Sequence, residues 1–122
     1  MKKLLLVLLV GSLVFMACEN GAGSNNTNSN NNVIKYEVIG TAQSVQVVMV
    51  NENLNIVQLQ ARPPWTYTFT KSKSEVLALS VSAVNEGETG SITVRIYINN
   101  RVQKEASNQG AYCVATADYT TQ

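Results

Sequence analysis

The chain has 122 residues, nine basic and eight acidic side chains, a formal net charge of +1 and no histidine. Charges this few and this scattered leave no basic stripe for nucleic acid and no acidic block for a cation or a basic partner. Without histidine the commonest general base and the commonest metal ligand are missing, which weighs against an enzyme and against a resident metal or other cofactor.

The chain opens on Met1, Lys2 and Lys3, and residues 4–15 are apolar apart from Gly11 and Ser12. Phe15, Met16, Ala17 and Cys18 follow. A positive end, a short apolar run and a small residue at a cleavage site form the pattern of an export signal. The run is shorter than the roughly 20 apolar residues that cross a bilayer core. A small residue before cleavage suits a narrow peptidase pocket, and a cysteine thiol directly after it can carry a diacylglycerol as a thioether. Residues 1–17 are therefore expected to be a bacterial lipoprotein signal peptide, with Cys18 the lipidated (palmitate-bearing) first residue of the mature chain. The alternative is an ordinary secretory signal with a chance cysteine. Lipidation anchors the chain to a membrane rather than through it, at about 0.8 kcal/mol per buried methylene. The expected location is the cell membrane or the outer membrane, on the periplasmic or extracellular side. Glu19, standing where a retention aspartate would, mildly favours the outer membrane. Loss of Lys2 and Lys3 leaves seven basic against eight acidic groups, a formal charge of −1.

Residues 19–32 are Gly, Ala, Ser, Thr and above all Asn after Glu19, with no large apolar side chain. Ordering them costs backbone entropy with nothing buried in return. Residues 18–32 are read as the lipidated cysteine and a flexible tether, with a root-mean-square reach of roughly 20 Å.

Residues 33–122 are read as one small β domain, because apolar residues alternate and short turn signals punctuate them. The first strand is expected over 33–39, ended by Gly40. The second covers 44–50, with Val45, Val47 and Met49 on one face. A polar turn at 51–53 leads into 54–61, with Val57, Leu59 and Ala61 on one face and Leu54 and Ile56 on the other. Pro63 and Pro64 break any ladder, since proline donates no N–H. Residues 65–70 alternate threonine with Tyr67 and Phe69, and 76–84 place Leu77, Leu79, Val81 and Ala83 on one face. Residues 85–90 form a turn cluster. Residues 91–98 turn Ile92, Val94, Ile96 and Ile98 inward and Thr93, Arg95 and Tyr97 outward. Asn99 and Asn100 suit a two-residue hairpin turn, because asparagine tolerates the positive φ that such turns demand. Strands over 101–106 and 111–119 close the sheet, with a turn at 107–110 between them. Seven or eight short strands in about 90 residues predict an all-β, immunoglobulin-like antiparallel sandwich. A small closed barrel is the competing arrangement.

No carboxylate pair, phosphate loop, nucleophile elbow or Cys-X-X-Cys stands out. Glu86 and Glu88 flank Gly87, but two loop carboxylates without further oxygen ligands make a poor cation site, and a solvated turn is the plainer reading. Cys113 is the one cysteine besides Cys18. It is either a buried small apolar group or an odd thiol open to pairing between chains.

Three stretches carry a family resemblance. They are residues 33–40 (Val-Ile-Lys-Tyr-Glu-Val-Ile-Gly), residues 62–68 (Arg-Pro-Pro-Trp-Thr-Tyr-Thr), and residues 91–102 with 111–114. In this order and spacing they resemble the MmpS family, small membrane-tethered accessory proteins of mycobacterial MmpL transporters. The resemblance covers most of residues 33–117. It implies an immunoglobulin-like sandwich outside the inner membrane that assists RND-type export of lipids, siderophores or drugs. Two departures stand out. The family anchors through a transmembrane helix, whereas this chain carries a lipobox-like sequence. The family also bridges two C-terminal strands by a disulfide, and the partner position here is Val94, leaving Cys113 alone.

The functional expectation is a non-catalytic envelope lipoprotein that docks a partner protein, an RND-type transporter being one. Pro63, Pro64, Trp65 and Tyr67 form the candidate contact patch, since aromatic anchors dominate interfaces. The alternative reading makes Trp65 a cap on the core and the prolines guards of an edge strand. Arg95 and Tyr97 are a second outward pair, or ordinary sheet-face residues. Two other functions remain open: a surface lipoprotein adhering to a host or matrix molecule, and a carrier of a small apolar ligand.

Overall fold

The computed structural model describes residues 30–121, so the expected leader, Cys18 and most of the expected tether lie outside the described residues. Eight antiparallel strands follow in order: β1 (Asn31–Ile39), β2 (Val45–Val50), β3 (Ile56–Ala61), β4 (Trp65–Ser72), β5 (Ala78–Asn85), β6 (Ser91–Ile98), β7 (Arg101–Gln109) and β8 (Val114–Thr120). They build two four-stranded sheets, ordered β4-β1-β6-β7 and β3-β2-β5-β8. The two-sheet sandwich expected from the alternation is the fold.

The core is the set of inward positions that period-two patterning selects. Ile34, Tyr36 and Val38 of β1 and Ile92, Val94 and Ile96 of β6 meet Val45, Val47 and Met49 of β2 and Leu79, Val81 and Ala83 of β5. These are the two central strands of each sheet, so their inward side chains are covered on every side. Each valine, leucine, isoleucine and methionine among them contributes about 1.5–3 kcal/mol of transfer free energy by leaving water. Tyr36 brings a polar end into this core and satisfies it, donating from its hydroxyl to the Val50 carbonyl at 2.6 Å. Burial pushes that phenol up to about 12.

Several boundaries differ from the sequence reading, each for a local reason. β1 starts at Asn31, inside the expected tether, because Asn31 and Asn32 pair with Ser72 and Lys71 on β4. The Asn99 side chain holds the same place, accepting the Val33 N–H at 2.9 Å and donating to Asn32 Oδ1 at 3.0 Å. β3 starts at Ile56, two residues late, because Asn51 Oδ1 accepts the N–H groups of Asn53 and Asn55 and curls 51–55 into a turn. β7 runs on to Gln109 because its last residues pair with Ser91, Ile92 and Thr93. Asn85 is not a turn residue but the buried last residue of β5. The Asn99 and Asn100 turn has φ of 53° and 68°, as a two-residue hairpin requires.

The strand directions give the sandwich two different ends. One end carries the connections 40–44, 62–64, 86–90 and 110–113. The other carries 51–55, 73–77 and 99–100, together with Asn30 and Thr121, the first and last described residues. The chain thus enters the domain at this second end.

Candidate partner-binding flank

The two long flanks of the sandwich are unlike. β7 and β8, the edges on one side, approach each other closely, whereas β3 and β4 on the other stand farther apart. The inward side chains of β3 (Val57, Leu59 and Ala61) and of β4 (Trp65 and Tyr67) are therefore only half-buried, although they pack on the core. The result is an apolar seam open to solvent along one side of the domain.

The candidate residues from the sequence meet here. Arg62, Pro63 and Pro64 carry the chain from one sheet to the other, with a cis Pro63–Pro64 bond. Pro63 is half-buried and Pro64 exposed. Trp65 then points inward at the first position of β4 and stacks on Tyr67, ring centroids 6.4 Å apart and planes 10° apart. Tyr67 contacts Phe69 at 5.9 Å, and Phe69 meets Tyr36 edge-on at 5.7 Å. Four aromatic rings thus run from the open seam into the closed core. Trp65 packs on the core and still shows part of its face. Such rings offer large, rigid contact area at little entropic cost.

Polar groups frame the seam. The Tyr67 hydroxyl donates to Glu52 Oε1 at 2.5 Å. That bond holds the Glu52 carboxyl below its ordinary value and pushes the Tyr67 phenol up. At the other end Glu86 accepts from Ser44 Oγ at 2.7 Å and Gln60 Nε2 at 2.8 Å, which also lowers its carboxyl. Glu86 is thereby a structural acceptor tying β3 to the 40–44 connection. Among the described residues no three His, Cys, Asp or Glu side chains cluster as a metal site would need.

Arg95 and Tyr97 stand on the outer face of the β1–β6 sheet, away from this seam, and are engaged with each other's partners. Arg95 donates to Glu105 and, at 3.2 Å, to Glu37. The Tyr97 hydroxyl donates to Glu37 at 2.7 Å, and Lys35 Nζ lies 4.3 Å from the Tyr97 ring centre. Burial pushes the Glu37 carboxyl up, but the Tyr97 and Arg95 hydrogen bonds outweigh it and the net shift is downward. This is a cross-strand network that fixes register rather than a free patch. Cys113 is half-buried in the 110–113 connection, with its carbonyl accepting the Asn85 N–H at 2.8 Å. A shallow, polar depression of about 470 Å³ lies at the same end, beside Glu88, Thr89 and Gln109. The sequence did not point to it, since its lining comes from three separate connections.

No match was found among curated proteins. The sequence profile of a family described as "Mycobacterium membrane protein" matches residues 5–118, nearly the whole chain. The match takes in the apolar N-terminal run as well as the sandwich, and it agrees with the resemblance carried by residues 33–40, 62–68 and 91–102. The chain belongs to the Mycobacterium membrane protein family, of MmpS type, and is a membrane-associated protein.

Proposed function

We propose that the domain is a non-catalytic docking module, held at the envelope by a lipid on Cys18 after removal of residues 1–17, and that its open flank receives a protein partner. The observation that supports this most is the contrast between the flanks. The β7–β8 side is closed, while on the β3–β4 side Val57, Leu59, Trp65 and Tyr67 keep apolar area in solvent. A closed core gains nothing from such exposure, whereas an interface gains an aromatic anchor with a polar rim made by Glu52, Gln60 and Arg62. The family resemblance makes an RND-type permease the first partner to test.

The test is site-specific photocrosslinking in intact cells of the native species. A photoreactive side chain replaces exposed Pro64 on the open flank or exposed Gln109 on the closed side. The expected result is one discrete crosslinked envelope protein from position 64 and none from position 109. No crosslink from position 64, or the same products from both positions, removes the docking flank.

A further inference from the structure

We propose that the end of the sandwich where the chain enters rests on the lipid surface, with Leu54, Ile56 and Val76 set into the headgroup–acyl boundary and Lys73 and Arg101 against lipid phosphates. The proposal deepens the membrane attachment of the preceding section and rests on it.

The first observation is where exposed apolar side chains stand. Among the described residues seven large ones are exposed, and five lie at or beside this end. The two most exposed are Ile56 at 76% and Val76 at 69%, with Leu54 at 56%. They come from two separate connections and the start of β3, so no single strand pattern produces the grouping. Apolar residues collected at one end, rather than scattered singly, mark a contact surface.

The second observation is the backbone at Leu54. Its φ is +61°, in the left-handed region where glycine or asparagine ordinarily sits. Asparagines occupy positions 51, 53 and 55 around it. The loop nevertheless places a bare leucine at the strained position, with Asn51 accepting the Leu54 N–H at 3.0 Å and locking the turn. A strained residue that points an apolar side chain into solvent is a device for contact.

Charge is the third. Glu52 is engaged with Tyr67, and Glu75 is paired with Lys71 at 3.3 Å. Among the described residues Lys73 and Arg101 make no ion pair, so against the one carboxylate without a cation, Glu52, this end carries a net positive charge. The opposite end carries Glu86 and Glu88 against Arg62 alone. Apolar side chains rimmed by cations match an anionic lipid surface.

Chain connection selects the occupant. Cys18, the proposed lipid bearer, precedes Asn30 by 12 residues, and the chain joins the domain at this end. A lipid on Cys18 brings this end, rather than the 86–90 end, toward the membrane. The open β3–β4 flank then stands upright on the surface, where a membrane-embedded partner would meet it.

The experiment uses the full chain with its anchor, reconstituted in vesicles of equal parts phosphatidylethanolamine and phosphatidylglycerol. The native tryptophan is first removed as Trp65→Phe. A reporter is then placed as Leu54→Trp or Ile56→Trp at the entry end, or as Tyr112→Trp at the far end. All three positions are exposed, so the fold tolerates the change, and two entry-end variants guard against failure of one. Lipids carrying a nitroxide near the headgroup should quench the entry-end reporters about twofold or more over the far-end reporter, with a blue-shifted emission. Vesicle flotation reads attachment separately. Flotation without preferential quenching at the entry end overturns this inference and leaves the attachment standing. A blue shift without quenching also overturns it, by showing that protein rather than lipid covers these side chains. Failure to float removes the attachment reading and this inference together.

Discussion

The Tyr67 hydroxyl reaches across the sandwich to Glu52 at 2.5 Å, joining β4 of one sheet to the β2–β3 turn of the other. It does so on the open flank, where β3 and β4 stand farther apart than β7 and β8, so this bond bridges the wider gap between the sheets. It also couples the flank to pH. The Glu52 carboxyl titrates below its ordinary value of 4.5 when folded, chiefly through Tyr67. A depressed carboxylate contributes stability above the unfolded value and loses it as pH falls through the folded value. Glu37 and Glu86 are depressed as well. The melting temperature should therefore be level near neutral pH and fall steadily below about pH 4.5. Tyr67→Phe should lower the melting temperature at pH 7 and converge on the wild type near pH 3. A gap that stays constant across that range would show that the lost stability is packing, not the carboxylate.

Trp65→Ala tests how far the seam belongs to the core. Full burial of tryptophan makes such a change cost about 3–5 kcal/mol. Trp65 is half-buried and stacked on one ring, so about 2 kcal/mol is expected from denaturant unfolding. A cost near zero would make it a pure surface anchor. A cost above about 4 kcal/mol would close the seam altogether.

The strands were legible because each central strand faces core on one side and water on the other, which writes a period of two into 34–38, 45–49, 79–83 and 92–96. The same argument separated Arg95 and Tyr97 from the core. What the alternation does not contain is which strands become edges. Val57 and Leu59 alternate as well as Val45 and Val47 do, yet the first pair is half-buried and the second fully buried. That difference is set by strand order, a long-range property. The candidate patch at Pro63, Pro64, Trp65 and Tyr67 was visible by composition, but its openness follows from β3 and β4 being unpaired edges. The exposed group at the entry end was invisible for a similar reason, since Leu54 and Val76 are 22 positions apart in sequence.

Gly40 and Gly110 both have positive φ, at 138° and 110°, but only one is confined. A Cβ on Gly40 would lie 2.1 Å from the Ser91 carbonyl oxygen, where the 40–44 connection leaves β1 against the start of β6. Nothing lies within 4 Å of a Cβ on Gly110. Gly110→Ala should cost only the conformational strain, about 1–2 kcal/mol. Gly40→Ala adds a backbone clash and should cost clearly more, about 3 kcal/mol or above. Equal costs in denaturant titration would mean that the connection moves aside freely.

Cys18→Ala addresses the anchor. If the thiol carries the lipid, the variant should leave the membrane pellet for the soluble fraction, or accumulate as an uncleaved precursor of higher mass. An unchanged pellet fraction with a mature-sized product would show that attachment runs through another feature of the N-terminal region.

Among the described residues Asn85 is the one polar side chain with no exposure at all, and its three hydrogen bonds fix the end that carries four connections. Its Nδ2 donates to the carbonyls of Thr89, at 2.8 Å, and Gly110, at 3.0 Å, while its Oδ1 accepts the Gly87 N–H at 2.9 Å. The 86–90 and 110–113 connections are thereby pinned to one amide. Asn85→Asp keeps the shape and reverses the chemistry, because a carboxylate oxygen would face two carbonyl oxygens with no proton between them. Burial and those acceptors both disfavour the charged form, so the introduced carboxyl should titrate well above its unfolded value. A raised carboxyl costs stability above the unfolded value, near pH 3.9, and the cost is relieved as pH falls from the folded value toward it. The variant should lose about 3 kcal/mol or more at pH 7, as for a buried group left without its partner. Its gap to the wild type should narrow toward pH 3, where a protonated carboxyl can again donate to one carbonyl. The carboxyl shift is opposite in sign to that of Glu52, although both variants' gaps to the wild type narrow with acid. A gap at Asn85→Asp that widens with acid would mean that water reaches this end and solvates the charge.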